Sequence, residues 1–277
     1  MNTTETPYIS DLTFNNLSSL LLKEAGISIK ENKKYLLIHR LSRFVGKDKP
    51  FPSFEEYYNA LVKDKTGILI RDFINSLTTN FSYFFREEVH FNFLKEYLLK
   101  NIETQPYIRL WSAGCSTGEE AYSIAISCLQ TIPFIDKVDI KILATDISSK
   151  VIDFAKNGVY HYTKIRGTLS DRDLRTYFLF DKKNKDFIVK ERVKNLVTFY
   201  RMNLLEPFPF KKSFDIVFLR NVLIYFSDSE KELIVNKIYN FIKPNGFLIL
   251  GLSETMVGIK HFYKILKSSI YQKQGRG

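Results

Sequence analysis

The residues best placed to do chemistry lie in the run Arg109-Leu110-Trp111-Ser112-Ala113-Gly114-Cys115-Ser116-Thr117-Gly118-Glu119-Glu120. An apolar strand enters a turn of small residues, and a helix starts directly after it. Gly114 and Gly118 let the backbone turn sharply and approach a ligand closely, while the helix start offers free N–H groups. The carboxylates of Glu119 and Glu120 repel a phosphate. They suit a ligand that carries positive charge and hydroxyls.

Three readings are open on this stretch alone. A nucleotide-like ligand with a cation in place of phosphates is S-adenosylmethionine. The pattern Gly114-x-Ser116-x-Gly118 also matches the nucleophile elbow of a hydrolase, with His161 or His261 as the base. The third reading is a tight connection without chemistry, in which Cys115 is a small filler rather than a reactive thiol.

Residues further along weigh on the choice. Asp146 closes a second strand, 28 residues beyond Gly118, at the place where nucleotide-binding α/β folds hold ribose hydroxyls. Its alternative role is to cap the next helix, which Ser148 could also do. Asn203 follows a third strand, where its amide can pair with a base edge and Leu204 can cover the base. Asn221 follows a fourth. Ligands of such sheets bind at the carboxyl ends of the strands, so these side chains and the glycine loop converge on one crevice. The hydrolase reading leaves that convergence unexplained.

These strands must be held by a parallel sheet. From Tyr107 onward, strands alternate with helices: strands at Tyr107–Trp111, Val138–Thr145, Leu196–Arg201, Phe214–Leu219 and Phe247–Gly251, with helices at Gly118–Gln130, Ser148–Asn157 and Asp228–Ile242. Lys243-Pro244-Asn245-Gly246 reads as a stop and turn, and His261–Gln272 as an antiparallel hairpin. A charged insert at about 160–195 interrupts the alternation, with a turn at Asp181-Lys182-Lys183-Asn184-Lys185 between short strands. The first hundred residues read instead as helices, at Asp11–Ala25, Glu31–Val45, from Ser53, at Thr66–Leu77 and at Arg86–Leu99. Ser53 with Glu56 forms a capping box. The expected organisation is a helical domain over 1–76, a linker and helix over 77–106, and an α/β domain over 107–277.

Composition bounds the function. The net charge of +11 attracts an acidic partner, whether nucleic acid, an anionic membrane or an acidic protein. Cys115 and Cys128 lack metal-ligand or CxxC spacing, so no metal is expected and a reducing cytoplasm fits. No apolar run is long enough to span a bilayer, and the polar start lacks a signal-peptide core. No Asp/Asn-Pro-Pro-aromatic motif follows the fourth strand, which disfavours methylation of nucleic-acid amino groups.

The chain resembles the chemotaxis receptor methyltransferases, the CheR family of S-adenosylmethionine-dependent protein-glutamate O-methyltransferases. The resemblance rests on Thr79-Asn80-Phe81-Ser82 through Phe85-Arg86-Glu87, on Trp111 to Ser123, and on Ala144-Thr145-Asp146-Ile147. It continues through Asn203-Leu204-Leu205, Arg220-Asn221-Val222-Leu223-Ile224-Tyr225-Phe226 and Gly251-Leu252-Ser253-Glu254. It implies a doubly wound, Rossmann-like class I methyltransferase sheet with a small insert subdomain, preceded by an all-α domain. It also implies cofactor contacts from Asn80, Ser82, Arg86, Gly114, Glu120, Asp146, Asn203, Leu204, Asn221 and Val222. Arg86 and Tyr225 match the positions nearest the reacting centre. The product would be S-adenosylhomocysteine, and the partner the cytoplasmic helical domain of transmembrane chemoreceptors.

Arg40 and Arg43, with Lys33 and Lys47, fall on one face of the second helix and could grip the acidic methylation segment. Some relatives dock a receptor peptide on the insert through a glycine-containing loop. The turn here has no glycine, so a tether-independent enzyme is expected, acting as a monomer, without nucleic acid and without membrane insertion. A sensing adaptor with decayed catalysis is the remaining rival; the intact Arg86 and Tyr225 weigh against it.

Overall fold

The computed structural model describes residues 7–78 and 80–275; Thr79 of the first motif lies outside the described residues. The chain divides into two compact units, 1–79 with 225–227, and 80–224 with 228–277.

The first unit is helical. Ser10 opens α1 (Asp11–Ala25) by accepting the Thr13 amide at 3.1 Å, and Gly26 closes it at φ 68°. A 3₁₀ turn at Glu31–Lys33 leads into α2 (Lys34–Leu41). Ser53 caps α3 (Phe54–Lys63) by accepting the Glu56 amide at 3.2 Å, the serine half of the expected capping box. Asp64 prepares α4 (Ile68–Leu77), its carboxylate taking the Thr66, Gly67, Leu69 and Ile70 amides at 2.8 to 3.1 Å. The apolar faces meet in a core that includes Leu17, Leu21, Leu37, Leu41, Tyr57, Leu61 and Phe73.

The helix expected to reach Val45 stops at Leu41. Val45 instead bridges to Phe51, and Gly46 (φ 135°) supplies the turn between them. Arg43 and Lys47 therefore lie beyond the helix, not on its face.

The second unit begins with α5 (Val89–Asn101). It continues as β1 (Ile108–Ala113), α6 (Glu119–Thr131), β2 (Ile140–Asp146), α7 (Ser149–Asn157) and β3 (Val159–His161). The insert adds α8 (Tyr162–Ile165), α9 (Asp171–Tyr177), β4 (Phe178–Asp181), β5 (Asp186–Val189) and α10 (Glu191–Lys194). Then follow β6 (Val197–Arg201), β7 (Phe214–Leu219), α11 (Asp228–Asn240), β8 (Ile242–Leu250), β9 (Tyr263–Lys267) and β10 (Ile270–Lys273).

Seven strands form one sheet in the order β6-β2-β1-β7-β8-β10-β9. The first five are mutually parallel, and the β9–β10 hairpin joins antiparallel. All six residues of β7 are buried, as a central parallel strand covered on both faces demands. The insert folds as an antiparallel sheet, β3-β5-β4, with Asp181 paired to Asp186 across the lysine turn.

α11 ends at Asn240, short of the expected Ile242, and Lys243-Pro244-Asn245-Gly246 is neither its stop nor a separate turn before the fifth strand. It bulges within β8: Phe214 pairs with Ile242, and Ile216 already with Phe247. Lys243 anchors the bulge. Its ammonium lies 2.8 Å from Oδ2 of the fully buried Asp215, which also accepts the Arg109 amide at 2.7 Å.

Candidate active site

β6, β2, β1 and β7 run parallel and side by side, so their carboxyl ends share one edge of the sheet. After β1 the backbone turns through Gly114 (φ 86°), Ser116 (φ 49°) and Gly118 (φ 95°) into α6. The Gly114 and Cys115 amides donate to the Thr145 carbonyl at 2.7 and 2.9 Å, pinning the loop to the end of β2. A Cβ on Gly114 would lie 2.3 Å from Val222 Cγ2, so only glycine lets this loop meet the one after β7.

Asp146 binds that loop from the other side. Its Oδ2 accepts the Ser116 amide and its Oδ1 the Ser148 amide, each at 2.9 Å. Burial pushes the Asp146 carboxyl up, and these backbone donors pull against the shift. Ser148 caps α7, which leaves Asp146 at the strand end for another use. Asn203 and Leu204 are buried just past β6, where the Met202 amide donates to the Asp146 carbonyl at 2.9 Å. Asn203 Oδ1 accepts the Leu205 amide at 3.0 Å.

Asn221, after β7, adopts φ 57°. Its amide donates to Glu254 Oε2 at 2.6 Å, and the Gly251 amide donates to the same oxygen at 2.8 Å. A Cβ on Gly251 would lie 2.6 Å from Asn221 Nδ2, so the asparagine packs against bare backbone. Burial raises the Glu254 carboxyl, opposed by these amides.

The two carboxylates at the start of α6 part company, which corrects the expectation that both face a ligand. Glu119 is 2 % exposed, its oxygens take the Thr117 hydroxyl at 2.9 and 2.7 Å, and burial pushes its carboxyl up. Glu120 is half-buried. It accepts the Ser112 hydroxyl at 2.6 Å on Oε1 and the Arg220 guanidinium at 2.9 Å on Oε2.

Arg86 sits between Phe85 (φ 56°) and Glu87 (φ 59°), two left-handed residues that crimp the chain before α5. The Phe85 amide fixes the crimp on Ser123 Oγ at 2.9 Å. The Arg86 guanidinium donates to the Phe81 carbonyl at 3.3 Å and lies 5.8 and 5.9 Å from the Phe81 and Tyr83 rings. Asn80 and Ser82 are half-buried in the same segment.

In the first unit, Tyr225 ends the 3₁₀ turn Leu223–Tyr225, and its carbonyl accepts the Ser28 amide at 3.4 Å. Arg40 donates to the Leu77 and Thr78 carbonyls at 2.6 and 3.1 Å, closing the end of α4, and Arg43 donates to Ser76 Oγ at 2.5 Å.

Sequence reasoning assigns no role to Arg220, Glu87 or Glu254. Arg220 meets Glu120 and Glu87 from 100 and 133 residues away, and no spacing pattern reports such pairs.

Ser116 has the positive φ of an elbow, but its buried hydroxyl has no hydrogen-bond partner among the described residues, and His161 Nδ1 is 2.9 Å from Thr163 Oγ1. Cys115 and Cys128 are buried, and burial pushes both thiols up, which keeps them inert. The donor set fits S-adenosylmethionine: an ionisable carboxylate for an ammonium at Glu120, another for hydroxyls at Asp146, and at Ser116 a buried hydroxyl without a hydrogen-bond partner among the described residues.

Comparison with known proteins extends this match. Residues 80–272 match the CheR methyltransferase SAM-binding domain, and residues 12–78 the CheR methyltransferase all-alpha domain. The chain is 37% identical over 266 residues to a chemotaxis protein methyltransferase of Borreliella burgdorferi, covering 93% of this chain and 92% of that one. It is 33% identical to a probable chemotaxis protein methyltransferase of Rhizobium etli, covering 93% and 98%. The corresponding Escherichia coli protein is 31% identical, covering 97% and 93%. With an all-α domain followed by a methyltransferase domain that takes S-adenosylmethionine, the chain belongs to the CheR family of chemotaxis methyltransferases.

Proposed function

We propose that this protein methylates glutamate side chains in the cytoplasmic helical domain of transmembrane chemoreceptors, giving glutamate methyl esters and S-adenosylhomocysteine in chemotaxis adaptation. The observation that carries the reading is Arg86: a cation on a crimped backbone, half-buried against aromatic rings, beside the strand ends. Bound S-adenosylmethionine supplies an electrophilic methyl group. Arg86 orients the incoming carboxylate through charge-assisted hydrogen bonds, and Tyr225 positions it through its hydroxyl. A glutamate is already ionised at neutral pH, so the chain needs no general base. Rate enhancement then comes from alignment and exclusion of water.

Asn80, Ser82, Gly114, Glu120, Asp146, Asn203, Leu204, Asn221 and Val222 hold the cofactor, and Arg86 borders it. Arg40 and Arg43 contribute positive charge towards an acidic receptor segment. Their ties to Leu77, Thr78 and Ser76 order that surface. The protein acts in the cytoplasm as a monomer and without a receptor peptide tether. No helix among the described residues is long and apolar enough to cross a membrane.

Transfer of labelled methyl from S-adenosylmethionine to purified receptor cytoplasmic domains tests the reading. Label that mild base releases as methanol is the expected result. Label that survives base would point to nitrogen or sulfur acceptors and remove the ester assignment.

A further inference from the structure

We propose that Arg220 is a positioning residue for methyl transfer, whose guanidinium occupies Glu87 and so keeps Arg86 available to the incoming carboxylate. The inference rests on the glutamate-methylating reading above.

Arg86 and Glu87 are neighbours in sequence, and a charge-assisted bond between an arginine and a carboxylate is about 2.7–2.9 Å long. Here they do not close: Arg86 Nε and Glu87 Oε1 stay 4.0 Å apart. The other oxygen of Glu87 is held elsewhere. Its Oε2 takes the Arg220 guanidinium at 3.1 Å, the Leu252 amide at 3.0 Å, and lies 3.5 Å from His90 Nδ1. Burial alone would raise the Glu87 carboxyl, yet Arg220 and the Leu252 amide hold it below its usual range.

Arg220 is built for this task. Its side chain is 2 % exposed, and its two terminal nitrogens diverge, Nη1 to Glu120 and Nη2 to Glu87 and the Arg86 carbonyl. The Phe91 ring lies 5.5 Å from the guanidinium carbon. One planar fork thus fixes the Arg86 backbone while drawing away the carboxylate that would otherwise neutralise the Arg86 side chain. A lysine is a single point charge and cannot serve both carboxylates in that geometry.

The experiment uses the full chain and a receptor cytoplasmic domain, with kcat and KM for the receptor read alongside calorimetric binding of S-adenosylhomocysteine. Arg220→Lys should lower receptor kcat/KM by about tenfold to a hundredfold, the scale of one or two charge-assisted hydrogen bonds. Adding Glu87→Gln should restore most of that loss, because the competitor for Arg86 is gone, while S-adenosylhomocysteine binding stays equal in the single and double variants. A double variant as slow as Arg220→Lys overturns the inference and reduces Arg220 to a structural tie. Should Arg220→Lys not fold, Glu87→Gln alone decides. A receptor kcat/KM within about threefold of the parent supports the inference, and a loss of about tenfold, a full hydrogen bond's worth, overturns it. A parent enzyme that binds S-adenosylhomocysteine yet esterifies no receptor glutamate would sink the receptor reading as well. A normal parent without rescue sinks this inference alone.

Discussion

At Asp146, the Ser116 and Ser148 amides each donate to one carboxylate oxygen at 2.9 Å. Asparagine cannot reproduce this, because its NH₂ would meet one of the two amides donor to donor. Asp146→Asn is therefore expected to weaken S-adenosylhomocysteine binding by about 10- to 100-fold, the worth of hydrogen bonds to a charged group. Isothermal titration with the variant checks this, and unchanged affinity would take Asp146 out of the cofactor site. The strand-end placement of Asp146, Asn203 and Asn221 was legible because each lies at or just past the end of a strand that the sequence pattern marks, where such sheets collect ligands. Arg86 and Tyr225 are singled out by resemblance alone. The structural roles of Arg220 and Glu254 were not legible: a buried ion pair or a carboxylate closing a turn depends on chain segments that only folding brings together.

Element types followed from periodicity, while their ends followed from local geometry that periodicity does not carry. α1 and β7 kept their expected bounds because Ser10 and Gly26 punctuate the one, and a six-residue buried run defines the other. α2 lost its last turn to the Val45–Phe51 bridge. At Lys243-Pro244-Asn245-Gly246, turn residues made a bulge because Ile242 still pairs with Phe214 on their near side. The same bulge makes Gly246 irreplaceable: a Cβ there would lie 2.7 Å from the Asp215 carbonyl oxygen and 2.8 Å from Ile242 Cγ2. Gly246→Ala is expected to cost about 1–3 kcal/mol as overpacking against backbone. Urea unfolding would show it as a lowered midpoint at unchanged slope.

Over the whole molecule, charge and acid sensitivity are set by different residues. The net charge of +11 favours acidic partners, whereas a histidine with no solvent exposure makes stability sensitive to acid. Burial, with the Arg220 guanidinium, pushes His90 down to about 4, against the pull of Glu87. An unfolded imidazole takes up its proton near pH 6.5, so His90 contributes its full stability above that pH. The contribution is lost as pH falls towards the folded value, roughly 2 kcal/mol of it between pH 7 and pH 5. Glu87, also held low, acts in the same direction further into acid. His90→Gln should flatten that part of the profile, and urea midpoints at pH 7 and 5 that fall as far as the parent's would refute the assignment.

The two sealed thiols also make the chain convenient to instrument. Neither Cys115 nor Cys128 presents a sulfur to solvent, so the native protein offers thiol reagents almost nothing to attack. A cysteine introduced at an exposed site such as Lys183, in the lysine turn of the insert, would be the one addressable sulfur. A dye or spin label could then report on binding at the insert without the two native cysteines first being replaced in the loop after β1 and in α6.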